Sequence, residues 1–313
     1  PGVLHDRGRA DVGDLLDEAT ESSEHDEVLA VSDAVAGDDP DSAESDGEAL
    51  HHGEDDSWEV PEPRVLVRVL GAPEVVGYPQ LGRIETSILA YLACHDGQRT
   101  AEQIVNAVWN GRLVESKTLW NKISKIRAAL GPDLVPARQP NSAKVTIDAS
   151  VMSDLSVLRT LADRSNGGSA AEAVSLLLRG LDLVDGVPFD SPDYEWAYET
   201  QQHADACELV ETVAIRCAQS ALELEDVRAA RLAVAAGLRA LPLNEPLYRQ
   251  RMRIEGAAGN QEGVRRAFDE LHTLLSVADV GNLSAEPESA TVRLAHRLCA
   301  ARMADPTGEQ QMV

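Results

Sequence analysis

Aromatic rings are scarce in this chain: two Phe, four Trp and five Tyr among 313 residues. So few rings argue against a β-sandwich core, whereas abundant Ala, Leu and Val suit packed helices. Lysine is scarcer still. Of 28 basic residues only four are lysine: Lys117, Lys122, Lys125 and Lys144. The four cysteines (Cys94, Cys207, Cys217, Cys299) show no CxxC or zinc-ligand spacing. They read as reduced core residues of a cytosolic protein. No apolar run reaches the roughly 18 residues of a membrane span, and no charged-then-apolar signal peptide opens the chain. The expected location is cytoplasmic, with no membrane contact from this segment itself. A start at Pro1 rather than Met points to a piece of a longer protein, whose upstream part could carry an anchor.

Catalytic motifs are absent too. There is no GxxxxGK[ST], no GxGxxG after a strand and no HExxH. The expectation is therefore a non-enzyme without cofactor or metal. His203 and Cys207 stand four apart on a helical stretch, a metal-pair spacing, but lack a third ligand. His51-His52 among acids could hold a cation loosely; a solvated run is the better reading.

Charge is unevenly placed. The chain as a whole carries −25. Residues 1–62 hold 21 acids against two arginines, residues 64–148 hold 11 basic against 7 acidic residues, and residues 149–313 are acidic again. One basic segment thus sits between two acidic ones. Residues 1–62 lack apolar periodicity and read as a disordered linker, since such a segment cannot bury enough surface to offset its ordering entropy.

Structure begins at Arg64–Val69, RVLVRV, an alternating strand, with Glu74–Val76 as a short return. Ile84, Ile88, Leu89 and Leu92 predict a helix over Ile84–Cys94 that Gly97 stops. Thr100 with Gln103 forms a capping box for a second helix, Ala101–Trp109. Ser116 is read as the cap of a third, Lys117–Leu130, which Gly131-Pro132 ends. Leu134–Val135 and Lys144–Ile147, flanking Pro140-Asn141-Ser142, predict a β-hairpin. Strands, three helices and a hairpin make a winged helix, with the third helix as reader and the hairpin as wing.

From about Val151 onward everything reads as helical. Candidate helices are Ser153–Arg164, Ala170–Leu181, Tyr194–Glu223, Asp226–Ala240, Glu245–Ala258, Gln261–Ser276 and Glu288–Met303. Paired helices recur at a spacing near 37 residues, with Gly259-Asn260 at a turn, as in tetratricopeptide-like repeats. Tyr194 and Trp196 read as core anchors where this region begins. The fold class is mainly α: a winged helix-turn-helix domain, then an all-α tetratricopeptide-like repeat domain. The expected domains are 1–62 (linker), 63–149 (winged helix), 150–304 (helical repeat) and 305–313 (disordered tail).

On a wheel of about 100° per residue the third helix sorts into two faces. Leu119, Ile123, Ile126 and Leu130 form a core stripe. Lys117, Thr118, Asn121, Lys122 and Lys125 lie opposite. A duplex asks for such a helix: phosphates hold the cations, and short polar groups meet base edges. Asn121 suits an adenine edge, Lys117 a base or flanking phosphate, and Lys122 and Lys125 the backbone. Ser116 completes the helix start, and Arg138 and Lys144 on the hairpin reach toward an adjacent groove. Trp120 and Arg127 fall outside both arcs, and Trp120 reads as packing. The plainer alternative is a solvated surface helix; the confinement of every lysine to this helix and hairpin favours DNA.

The stretch LGRIETSILAYLACHDGQRTAEQIVNAVW, with SKTLWNKISKIRAALG and LVPARQ beyond it, resembles the response-regulator-type winged helix of the Streptomyces antibiotic regulatory proteins. The later stretch LRALPLNEPLYRQRMRIEGAAGNQEGVRRAFDELHTLL, then EPESATVRLAHRL, resembles the bacterial transcriptional activator domain that follows it there. The likeness spans roughly residues 64–303, and the wing lacks the Gly-Tyr pair often seen in that family. The resemblance implies part of a larger actinobacterial regulator that binds double-stranded DNA. It also implies a helical domain that mediates self-association or RNA polymerase contacts. The main alternative is an interaction module that no longer binds DNA, within a larger, membrane-anchored signalling protein. A third reading folds the acidic segment back onto the basic helix as a nucleic-acid mimic.

Overall fold

A computed structural model of the protein describes residues 62–112, 114–138, 142, 144–277 and 286–300. The acidic linker (but for its last residue), His51-His52, the tip of the wing, the end of the last helix and the tail lie outside these residues.

Alternation makes the first strand. In β1 (Val65–Arg68) Val65 and Val67 are buried while Leu66 and Arg68 are half-buried. Gly71 and Pro73 turn the chain, and β2 (Glu74–Val75) returns antiparallel to β1. Helix α1 (Arg83–Ala93) buries Ile88, Leu89 and Leu92. Gly97, at φ +73°, turns the chain into β3 (Gln98–Thr100). The expected capping box starts α2 (Ala101–Val108): Gln103 N donates to Thr100 Oγ1 at 3.2 Å, and Thr100 N to Gln103 Oε1 at 3.0 Å. Helix α3 (Ser116–Leu130) buries Leu119, Ile123, Ile126 and Leu130, the stripe that the wheel predicts. One detail differs. Glu115, not Ser116, occupies the N-cap position, with no side-chain bond to the helix, and Ser116 is the first helical residue.

The wing pairs differently from expectation. Strand β4 (Lys144–Thr146) runs antiparallel to β3, with Gln98 opposite Thr146 and Thr100 opposite Lys144. Leu134 and Val135 are not a strand; both are buried behind α3, and the Leu134 carbonyl accepts from Asp148 N at 2.9 Å. Nor is everything helical after Val151. Strand β5 (Val151–Ser153) pairs parallel with β1, Val65 opposite Val151.

Helices follow: α4 (Asp154–Arg164), α5 (Ala170–Leu181), a 3₁₀ turn at Pro192–Tyr194, α6 (Glu195–Glu199), α7 (Gln202–Glu223), α8 (Val227–Ala240), α9 (Glu245–Ala257), α10 (Gln261–Val277) and α11 (Ser289–Ala300). From α7 on, each helix packs on its successor, and α4 packs on α5 and α5 on α7. This is the stacked-hairpin logic of a tetratricopeptide-like repeat. Gly259, at φ +69°, makes the α9–α10 turn, and Asn260 Oδ1 accepts from Gly263 N. The helix expected over Tyr194–Glu223 is broken, with Gln201 in the left-handed region at φ +63°. The break separates two packing tasks: Trp196 on α6 goes into the core with α1, while α7 packs along α5 and α8.

The two parts share one apolar core, running from Val65 to Ile254. Three contacts fasten the junction. The Asp154 carboxylate, 1% exposed, accepts from Val69 N at 2.9 Å and Leu70 N at 3.1 Å. Trp196, also 1% exposed, lies edge-on to Tyr91 at 5.0 Å and to Phe189 at 5.5 Å, and its indole N–H donates to Ser87 Oγ at 3.3 Å. At the rim, Arg83 Nη2 donates to Asp193 Oδ1 at 2.8 Å.

Candidate nucleic-acid interface

The core stripe of α3 fixes which side chains it offers to solvent. Lys117, Asn121 and Lys125 are exposed, and Thr118 and Lys122 half-buried. Neither Lys117 nor Lys144 forms an ion pair among the described residues. The wing stands against the same helix. The Arg138 guanidinium lies 4.7 Å from the Trp120 ring centroid, a cation–π contact, while its Nε donates to the Ser142 carbonyl at 2.7 Å. Arg127 donates to the carbonyls of Val135 and Pro136 at 2.8 and 2.7 Å, pinning the chain that leaves α3. So Trp120 and Arg127, outside both arcs of the wheel, join α3 to the wing. A cleft of about 300 Å³ opens between them, lined on the α3 side by Trp120, Ile123 and Arg127 and on the wing side by Arg138 and Lys144.

Lys122 and Lys125 have a partner that the wheel does not reveal. Their ammonium groups lie 3.2 and 2.9 Å from the same atom, Oε1 of Glu85, in the first turn of α1. Glu85 is 2% exposed. Burial alone would raise its pKa; hydrogen bonds from Lys125, from its own backbone and from Lys122 outweigh that and hold the carboxyl below its usual range. The sequence carries a sign of this residue. Glu85 sits three and four positions before Ile88 and Leu89, on the buried side of α1, where a lone acid needs a partner. The partner is 37 residues away, beyond the reach of local periodicity.

Cys207 Sγ is 3.7 Å from His203 Nε2, and the His203 ring stacks on Tyr198. No cluster of three metal-ligating groups occurs among the described residues. All four cysteines are free; Cys217 is buried, the other three are half-buried, and burial pushes the Cys94 and Cys217 thiols up to about 12. No described helix is long and apolar enough to cross a membrane.

Comparison with known proteins adds two findings. Residues 147–299 match the family model of the bacterial transcriptional activator domain. The fold is similar to that of Mycobacterium tuberculosis EmbR, solved in complex with a low-affinity phosphopeptide, with TM-score 0.53 and 17% identity. That likeness covers 77% of this chain and 66% of the other, so about a third of that protein has no counterpart in it. No curated protein matches the sequence.

Proposed function

From a chain whose residues 147–299 match the model of the bacterial transcriptional activator domain, we propose a DNA-binding regulator of the Streptomyces antibiotic regulatory protein type. In this reading α3 enters the major groove. Asn121 and Lys117 meet base edges, with Ser116 and Thr118 at the helix start. Arg138 and Lys144 reach from the wing toward an adjacent groove. Lys122 and Lys125 add phosphate contacts as far as Glu85 leaves them free. The carrying observation is the joint surface of α3 and wing: exposed Lys117 and Asn121 on the helix, exposed Arg138 and Lys144 on a wing stacked against it. The helical domain serves protein contacts, self-association or RNA polymerase. Leu232 and Leu243, 54% and 43% exposed on and just after α8, are apolar groups left for a partner.

One observation favours the interaction-module alternative: an internal carboxylate already occupies two of the three lysines on α3.

Titration of the chain against promoter-length duplexes at two salt concentrations tests the proposal. Binding should weaken steeply with salt, since each phosphate neutralised contributes a slope of about −0.9 in log K against log salt. The double variant Lys117→Glu with Lys144→Glu should lose most of the affinity. Unchanged affinity would make the assigned face wrong. No retained duplex at low salt would hand the case to the interaction module.

A further inference from the structure

Glu85 has more consequence than a structural ion pair. Its Oε1 atom serves two ammonium groups at once, at 3.2 and 2.9 Å. Its other oxygen is packed toward the start of α1, where a Cβ on Gly82 would come within 3.0 Å of Oε2. The carboxylate is thus confined on one side by backbone and on the other by the reader helix. The two lysines keep 34% and 52% of their side chains exposed, so they belong to the solvent face and to the core at once. Formally the three groups sum to one positive charge, where a free pair of lysines would present two.

We propose that Glu85 is a specificity-determining residue that governs the charge of α3. It holds Lys122 and Lys125 against the body of the protein and removes one unit of phosphate-seeking charge from the helix. The proposal rests on the DNA-binding reading. A duplex attracts any cationic face whatever its sequence, and that attraction scales with the number of phosphates neutralised. Discrimination comes from base-edge contacts. A reader helix with fewer free cations gives up sequence-independent affinity and leaves the base-edge contacts at full weight. Lys117 and Asn121 lie outside the clamp and keep that role.

The four lysines of the chain make the clamp directly measurable. Amine acylation of the whole folded protein, followed residue by residue by mass spectrometry, should label Lys117 and Lys144 several-fold faster than Lys122 and Lys125. The isosteric E85Q variant should bring the slow pair up to the fast one. With a mixed-sequence 30-base-pair duplex as probe, E85Q should bind about five- to tenfold more tightly at 0.1 M salt and steepen the salt slope by about one counterion. Adding K125Q to E85Q restores the formal charge and should return the slope to its original value. Equal labelling of all four lysines in the unaltered chain overturns the clamp, and needs no variant to fold. Protected lysines with an unchanged slope in E85Q overturn its effect on DNA. Protected lysines with no duplex bound by either form overturn the governing role through failure of the DNA reading, and the labelling separates that result from a missing clamp.

Discussion

Asp154 shows how one side chain can fasten two parts of a molecule. It opens α4, yet its carboxylate accepts from the backbone of Val69 and Leu70, more than 80 residues earlier. Replacing it with Ala would take this acceptor from three buried N–H groups, those of Val69, Leu70 and Leu155, at about 1–3 kcal/mol for each one left unsatisfied. D154A should therefore destabilise the protein by about 3 kcal/mol in denaturant titration. Burial pushes the carboxyl up to about 6, against hydrogen bonds from Leu70, Val69 and Leu155 that lower it. An unfolded Asp releases its proton near 3.9. Between those values the unfolded chain has lost the proton that the folded chain still holds. Stability contributed by this group is present at the acid end and falls as pH rises from about 4 to about 6, the reverse of a salt-bridged carboxylate. In thermal melts across that range the native protein should lose stability relative to D154N as pH rises. Nothing in the local sequence marks Asp154 as more than a helix-start acid, because Val69 and Leu70 lie more than 80 residues upstream. Glu85 is the same lesson against α3: an acid on an apolar face is legible, its partners are not.

At the scale of elements, what repeats locally is readable and what pairs at a distance is not. The core stripe of α3 and the capping box of α2 depend on neighbours three or four residues apart, and both stand where the sequence puts them. The partner of β4 is β3, 46 residues upstream in register, and QRT is too short and too polar to announce a strand. Strand β5 is three residues long, too short to display alternation, and is made by its parallel neighbour β1. The break in the helix expected over Tyr194–Glu223 comes from tertiary demand, since Gln201 adopts a left-handed turn that its type does not favour. Close helix crossings add a further constraint. A Cβ on Gly237 of α8 would meet Ala214 Cβ of α7 at 2.9 Å and Leu247 Cδ1 of α9 at 3.0 Å. Two helices would have to move apart to admit one methyl group. G237A should cost about 1–3 kcal/mol through overpacking, against the usual helix-stabilising effect of Gly→Ala. The midpoint of a chemical melt, compared with G167A, where nothing lies within 4 Å, checks this.

The whole molecule joins its winged helix to its helical repeat through a core and not through a tether. Trp196 packs among Tyr91, His95, Phe189 and Tyr194, drawing rings from α1 and from the chain before α7 into one cluster. A pair of independent domains would melt in two steps. This arrangement should melt in one: differential scanning calorimetry is expected to give a single endotherm for the residues from β1 to α9. W196A, which removes about 3–5 kcal/mol of packing, should lower it without splitting it. Two separate transitions in the native protein would contradict the shared core.

The parallel pairing of β1 with β5 has a mechanical corollary. The strand that enters the winged helix lies beside the strand that leaves it, in register at Val65–Val151, Leu66–Met152 and Val67–Ser153. Tension carried along the chain arrives at the start of β1 and departs from the end of β5, so it loads their hydrogen bonds in shear, all rungs together. Helix α3, the wing and Glu85 lie in the segment that these two strands enclose. That strand pair carries part of a pull on the chain past them, and the contacts of Arg83 and Trp196 carry the rest through α1.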